Sequence, residues 1–220
     1  MTHMGWGVWI ESGVTEEGAP VPSVTKGRYD PHVRWRWKTA DLAGKRRELL
    51  GAGVRVSEMY SDPQGRASFD LWATKNEMLL TVVEDPAWND PSLGDANQFR
   101  ITVSDLPRSI EWYRHYIGME LVLDQSDQGY AVMTLGINYH PEGRSEWILE
   151  EQSDRPVTGP VDGMFRPRCI IQSRDAFFRY HRFLQESGAQ VSEVFGFLQR
   201  GMVYCHVYDP DGNRFDLGSM

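Results

Sequence analysis

Gln98, Arg100, Glu150, Arg168, Gln172, Tyr204, His206, Tyr208 and Asp216 are the side chains of this 220-residue chain whose types and placement could do chemistry. Each lies in a run where apolar and polar residues alternate, the period of a strand with two unlike faces. Phe99, Ile101 and Val103 leave Gln98, Arg100 and Thr102 on the other side. Trp147 and Leu149 leave Glu146, Ile148 and Glu150, and Cys169 and Ile171 leave Arg168, Ile170 and Gln172. Val203, Cys205 and Val207 oppose Tyr204, His206 and Tyr208, while Phe215 and Leu217 oppose Arg214 and Asp216. Such polar and aromatic faces suit a small-molecule groove lined by a curved sheet. Glu150 and Asp216 are carboxylates that can move a proton, and Arg100 and Arg168 are guanidinia that can grip an oxyanion. Tyr204 and Tyr208 can stack on a cationic aromatic ligand. His206 is either a wall residue or a metal donor.

The elements that position these residues recur. Three times an alternating strand leads to an Asp, a helix closed by Gly, and further strands; the copies begin at Val33, Gln98 and Arg168. Their helix-closing glycines, Gly53, Gly118 and Gly188, fall 65 and 70 residues apart. Asp105 and Asp175 are the expected helix N-caps, since a carboxylate accepts the unpaired N–H groups of a first turn. Gly118 and Gly188 suit the left-handed position past the last turn. Ile110, Tyr113 and Ile117, then Phe177, His181 and Leu184, recur at helical spacing and should face a sheet. Asp209-Pro-Asp-Gly-Asn213 should be a tight strand connection. The expected organisation is residues 1–85 as a degenerate first module with extra strands, 86–96 as a linker, and 97–220 as a pair of modules with their helices outside. The first module, whose closing run Ala73 to Leu80 has no terminal carboxylate, is expected to be structural. Trp6 and Trp9 precede it and either pack against it or line its groove.

The net charge of −8 argues against a nucleic-acid partner and suits a cationic or metal-bound ligand. No apolar run approaches the ~20 residues that span a bilayer, and Met1 to Glu11 is unlike a signal peptide, so a cytoplasmic protein with no membrane partner is expected. Cys169 and Cys205 make no disulfide framework and should be buried.

The stretch from Gln98-Phe-Arg-Ile-Thr-Val-Ser-Asp105 to Ile117-Gly-Met-Glu-Leu121 resembles the opening of a glyoxalase-type module, and Cys205-His-Val-Tyr-Asp-Pro-Asp-Gly-Asn-Arg-Phe-Asp-Leu217 resembles its closing hairpin. On these motifs the chain resembles the glyoxalase, bleomycin-resistance and extradiol-dioxygenase (vicinal oxygen chelate) superfamily. The resemblance implies an α+β fold of repeated βαβββ modules, forming curved mixed sheets around a groove. It also implies metal ligands on the first and last strands of paired modules: Gln98, Glu150, Arg168 and Asp216. Gln98 and Glu150 conform, Asp216 is a shorter carboxylate, and Arg168 departs, because a guanidinium keeps its proton and has no lone pair to give. The two-His-one-carboxylate triad of an iron dioxygenase is absent from these positions, and His206 is the groove residue that could substitute.

Three functions follow. The leading one is a metal-free or metal-incomplete groove that binds a small organic ligand, with Arg168 taking the ligand's carboxylate or phosphate or pairing with Asp216 or Glu150. The second is a lyase or isomerase of the glyoxalase type using Zn, Ni, Mn or Fe held by Gln98, Glu150 and Asp216, with Glu150 and Asp216 moving the proton. The third is an interaction domain with a vestigial groove. Because modules pair in twos, residues 1–32 or a second chain, as in a homodimer, would complete the odd module.

Overall fold

The computed structural model describes residues 32–73, 79–136, 144–153, 167–196 and 202–219. The βαβββ order appears three times. The first module is β1 (Val33–Thr39), α1 (Leu42–Gly51), β2 (Tyr60–Ser61), β3 (Ala67–Trp72) and β4 (Leu79–Glu84). The second is β5 (Gly94–Val103), α2 (Leu106–Trp112), β6 (Glu120–Gln125), β7 (Tyr130–Gly136) and β8 (Arg144–Glu151). The third is β9 (Arg168–Ile170), α3 (Arg174–Glu186), β10 (Gln190–Val191), β11 (Val203–Tyr208) and β12 (Arg214–Ser219). Trp6 and Trp9 lie outside the described residues.

Local chemistry explains the helix ends. Asp41 accepts from the Gly44 N–H and Asp105 from the Arg108 N–H, at 2.8 and 3.0 Å. In the third module the cap is Ser173, which accepts from Ala176 N–H at 3.2 Å, rather than Asp175. Asp175 instead sits in the first turn, where its charge meets the positive end of the helix dipole. Helix α2 continues as a π-helical turn, Tyr113–Ile117, that ends at Gly118 with φ of 79°. That left-handed backbone is where glycine is favoured.

The modules share one internal order, with the first strand parallel to the fourth (β1·β4, β5·β8 and β9·β12). Their association differs from the expected one. First strands β1 and β5 pair antiparallel and fuse modules one and two into an eight-stranded sheet, β2-β3-β4-β1-β5-β8-β7-β6. Module three forms its own sheet, β10-β11-β12-β9. Modules two and three meet back to back instead. Trp147 stacks on Phe99 at 4.3 Å and packs on Phe215 at 5.4 Å, in one core with Ile101, Leu149, Cys169, Val207 and Leu217. Tyr113 of the α2 extension and Phe177 and Leu184 of α3 enter this same core, so the helices flank a shared interior rather than standing outside the pair. Cys169 and Cys205 are buried there as free thiols, and burial pushes Cys169 up to about 12. None of the described helices is long and apolar enough to cross a membrane.

The Asp209-to-Asn213 turn pins this back-to-back contact. Asp209 Oδ1 accepts the N–H groups of Asp211 and Asn213 at 2.9 and 2.8 Å, which closes the turn. Its Oδ2 accepts from the Tyr113 hydroxyl of module two at 2.7 Å. Asp211 in turn accepts from the Ser104 N–H and hydroxyl at the entry to α2. Burial raises the Asp209 carboxyl to about 6, against the pull of its bonds from Tyr113 and Asn213. The folded chain therefore holds a proton here that the unfolded chain, near 3.8, releases. This contribution to stability is fully present below the unfolded pKa and is lost as pH rises through the folded one. Urea unfolding from pH 3 to 8 should show it as a loss of about 3 kcal/mol with rising pH, and Asp209→Asn should remove that slope. An identical slope in the variant would assign the dependence elsewhere.

Candidate functional site

Pairing β1 with β5 puts Arg34 directly opposite Arg100 and Arg36 opposite Gln98, on the face away from the core. Like charges directly opposite in a sheet repel, so this face folds only with carboxylates between them. Asp70 on β3 supplies one, accepting from Arg34 Nη1 and Thr81 Oγ1, each at 2.7 Å, and from the Tyr60 hydroxyl at 2.8 Å. Glu150 on β8 supplies another to Arg100, whose Nη1 also donates to the Tyr60 hydroxyl at 3.2 Å. Asp62, 5% exposed, supplies a third, shared by Arg36 and Arg66. The charges tune one another. Burial would lower Arg100, but Glu150 beside it wins and raises it. Burial, then Asp70, raises Tyr60, whereas burial of Asp62 is overridden by Arg36 and its carboxyl is lowered. Beyond the ionic floor, Tyr130, Val132 and Ile148 make a separate apolar cluster on the same face. The result is a cup with a charged floor and an apolar wall.

Gln98, Arg100 and Glu150 thus belong to one cup, together with Arg34, Arg36, Tyr60, Asp62, Arg66, Asp70 and Thr81. The first module therefore supplies much of the charge on this sheet face. Its signal was the alternation of Arg34, Arg36 and Lys38 with tryptophans, which marked a charged face but not what that face meets.

The expectation that Gln98, Glu150, Arg168 and Asp216 share a groove is corrected: the first two are on the eight-stranded sheet and the last two on the four-stranded one. Register also separates Gln98 from Glu150. Glu146 is the residue beside Gln98 on β8 and accepts from its Nε2, while Glu150 pairs with Thr102, about 13 Å further along at the rise of a strand. The donor set does not fit a metal. Guanidinia of Arg34, Arg36 and Arg100 cannot ligate, and their positive charge occupies Asp70, Asp62 and Glu150. Among the described residues no three His, Cys, Asp or Glu side chains converge as a cation would need.

On the face of module three that carries His206, the polar side chains are bonded to one another. His206 donates or accepts through Nδ1 with Asp216 Oδ1 at 2.8 Å, and Arg214 Nε donates to the same oxygen at 2.8 Å. His206, Arg214 and Asp216 are 0, 2 and 4% exposed. The Phe195 ring covers His206 at 4.6 Å and packs on Tyr204 at 5.9 Å. Tyr204 lies so close on Gly218 that a Cβ there would come within 2.6 Å of the ring. Tyr208 is also buried, with its ring 6.5 Å from His206. Arg168 pairs through its backbone with Asp216, and its side chain lies outside the described residues. Strand β9 stops at Ile170, so Gln172 is an exposed residue at the entry to α3 rather than a groove residue.

The sequence profile of the Glyoxalase/Bleomycin resistance protein/Dioxygenase superfamily matches residues 96–217. No curated protein matches. Among solved structures, glyoxalase I from Zea mays is similar with a TM-score of 0.59 at 17% identity, over 84% of this chain and 66% of its own. A putative dioxygenase from Bacillus subtilis is similar with a TM-score of 0.57 at 12% identity, over 85% of this chain and 60% of its own. The chain thus spans about two thirds or less of the length of these proteins, and identities so low speak for the fold alone. The profile, covering more than half of the sequence, and the paired βαβββ modules agree: the chain belongs to the glyoxalase/bleomycin resistance protein/dioxygenase superfamily.

Proposed function

We propose that this chain binds a small organic molecule in the cup between modules one and two, without a divalent metal. The observation that carries the reading is the ionic floor: guanidinia, which cannot ligate a metal, lie where the first strands of the paired modules meet, and their partner carboxylates are already engaged. Charged and hydrogen-bonding groups on one side and Tyr130, Val132 and Ile148 on the other are the usual composition of a ligand site. Gln98, Arg100 and Glu150 are the sequence-derived residues that take part. The glyoxalase-type lyase or isomerase keeps Gln98 and Glu150 as donors, and the metal arm of the test addresses it. His206 and Asp216 act in this reading as a buried clamp on β11 and β12.

The full chain, titrated with Zn, Ni and Mn and then dialysed, should retain substoichiometric metal. A fragment library followed by amide chemical shifts should perturb β1, β4, β5 and β8. Stoichiometric, chelator-removable metal that Gln98→Ala abolishes would replace this reading with the metalloenzyme. For the clamp, Asp216→Ala leaves the buried Arg214 and His206 without their shared acceptor and should cost about 3–5 kcal/mol in urea unfolding. A loss below ~1 kcal/mol would remove the structural role, since ordinary surface changes stay near that size.

A further inference from the structure

Among the described residues, the exposed large apolar side chains gather mainly in two patches. Val122 and Leu123 on β6 are 62 and 38% exposed, and Phe178 and Phe183 on α3 are 37 and 38% exposed. Strand β6 is the outer strand of the eight-stranded sheet, and Val122 is the extra residue of a bulge where its register against β7 shifts. The π-helical turn Tyr113–Ile117 neighbours both patches. His115 lines a surface hollow of about 750 Å³ with Glu120 and Leu121 at the start of β6, and its ring lies 5.8 Å from that of Phe183.

The charges that frame the patches are opposite. No lysine or arginine occurs between Arg114 and Arg144, so the hairpin of β6 and β7 carries only Glu120, Asp124 and Asp127, all exposed. On α3, Arg174, Arg179 and Arg182 outnumber Asp175 and Glu186, which sit at the two helix ends. Residues four apart share a helix face, so Arg182 lies beside Phe178 and Arg179 beside Phe183. Arg174 stacks over Phe178 at 5.7 Å, whereas Arg179 and Arg182 make no ion pair among the described residues. Scattered exposed apolar residues are ordinary, but adjacent ones framed by charge mark a protein contact. Each patch here complements the other. Both occur on every copy of the chain, beside the same turn, so a twofold axis sets each against its opposite and makes every contact twice. The net charge of −8 does not forbid this, because a Debye length of about 8 Å at physiological salt screens distant charges and spares touching pairs.

We infer that the full chain forms a twofold dimer in which Val122, Leu123, Asp124 and Asp127 of one copy pack on Phe178, Arg179, Arg182 and Phe183 of the other. Sedimentation velocity over a range of concentrations tests it. The wild type should pass from monomer to dimer and no further. Arg179→Glu with Arg182→Glu sets acid against acid in both contacts and should weaken the dimer about a hundredfold or more, and Asp124→Lys with Asp127→Lys should do the same with bases. An equimolar mixture of these two variants should associate as the wild type does, because every mixed contact again joins opposite signs. That recovery also shows that both variants fold. A chain monomeric at every concentration would overturn the dimer, as would a dimer indifferent to both charge reversals, or a mixture of folded variants that stays monomeric. Growth beyond two copies would overturn the twofold arrangement. A monomer that sediments with vesicles of anionic phospholipid, and is released by Arg179→Glu with Arg182→Glu, would give the α3 face to a membrane surface instead.

Discussion

The antiparallel pairing of β1 with β5 is the contact on which the rest of the molecule depends. It decides which modules share a sheet, and through register it sets Arg34 against Arg100 and Arg36 against Gln98. Two arginines facing each other across a ladder would push the strands apart in isolation. Asp70, Glu150 and Asp62 arrive from β3, β8 and the segment after β2, so the strands flanking the junction are bound to it by charge as well as by backbone bonds. The cup is therefore a consequence of the junction rather than a cavity left over after folding.

A second consequence is the division of labour between the two sheets. Because β5 spends its free edge on β1, module two can meet module three only through its helix-side face, where Trp147, Tyr113 and Phe215 form the contact. The opposite face of module three is then served by its own residues, with Phe195 over His206 and Tyr204 set against Gly218. A His–Asp pair on a strand usually invites a catalytic reading. Here both members are buried beside Arg214, which shares the same carboxylate oxygen.

The order of strands and helices, the strand faces and the Asp105 cap were legible because they are set by local chemistry: alternation, a carboxylate at a first turn, glycine where φ is positive. Ser173 took the third cap from Asp175 because both residue types can cap and α3 began two residues earlier than the aspartate suggested. Pairing of modules was not legible, since a first strand with an alternating pattern carries no mark of which other first strand it will join. That one ambiguity put residues of two different sheets into one expected groove. It grouped Gln98 with Arg168 and Asp216, and it left Arg34 and Arg36 within a module expected to be structural. The slip between Glu146 and Glu150 has a different origin, because both lie on the same face of β8 and period-two reasoning cannot choose among residues of one face.

Both halves of the cup are encoded in a single chain, so they need not be alike, and they are not: arginines on β1 face a glutamine and an arginine on β5, and Thr81 on β4 answers to acidic residues on β8. A cup made from two copies of one module would have a twofold axis through its centre and would accept a guest equally well in either of two opposed orientations. This one has no such axis in its chemistry. A guest with distinct ends meets distinct ends, so the linked modules convert a symmetric architecture into one with a single polarity, in which the two sides can change independently of each other.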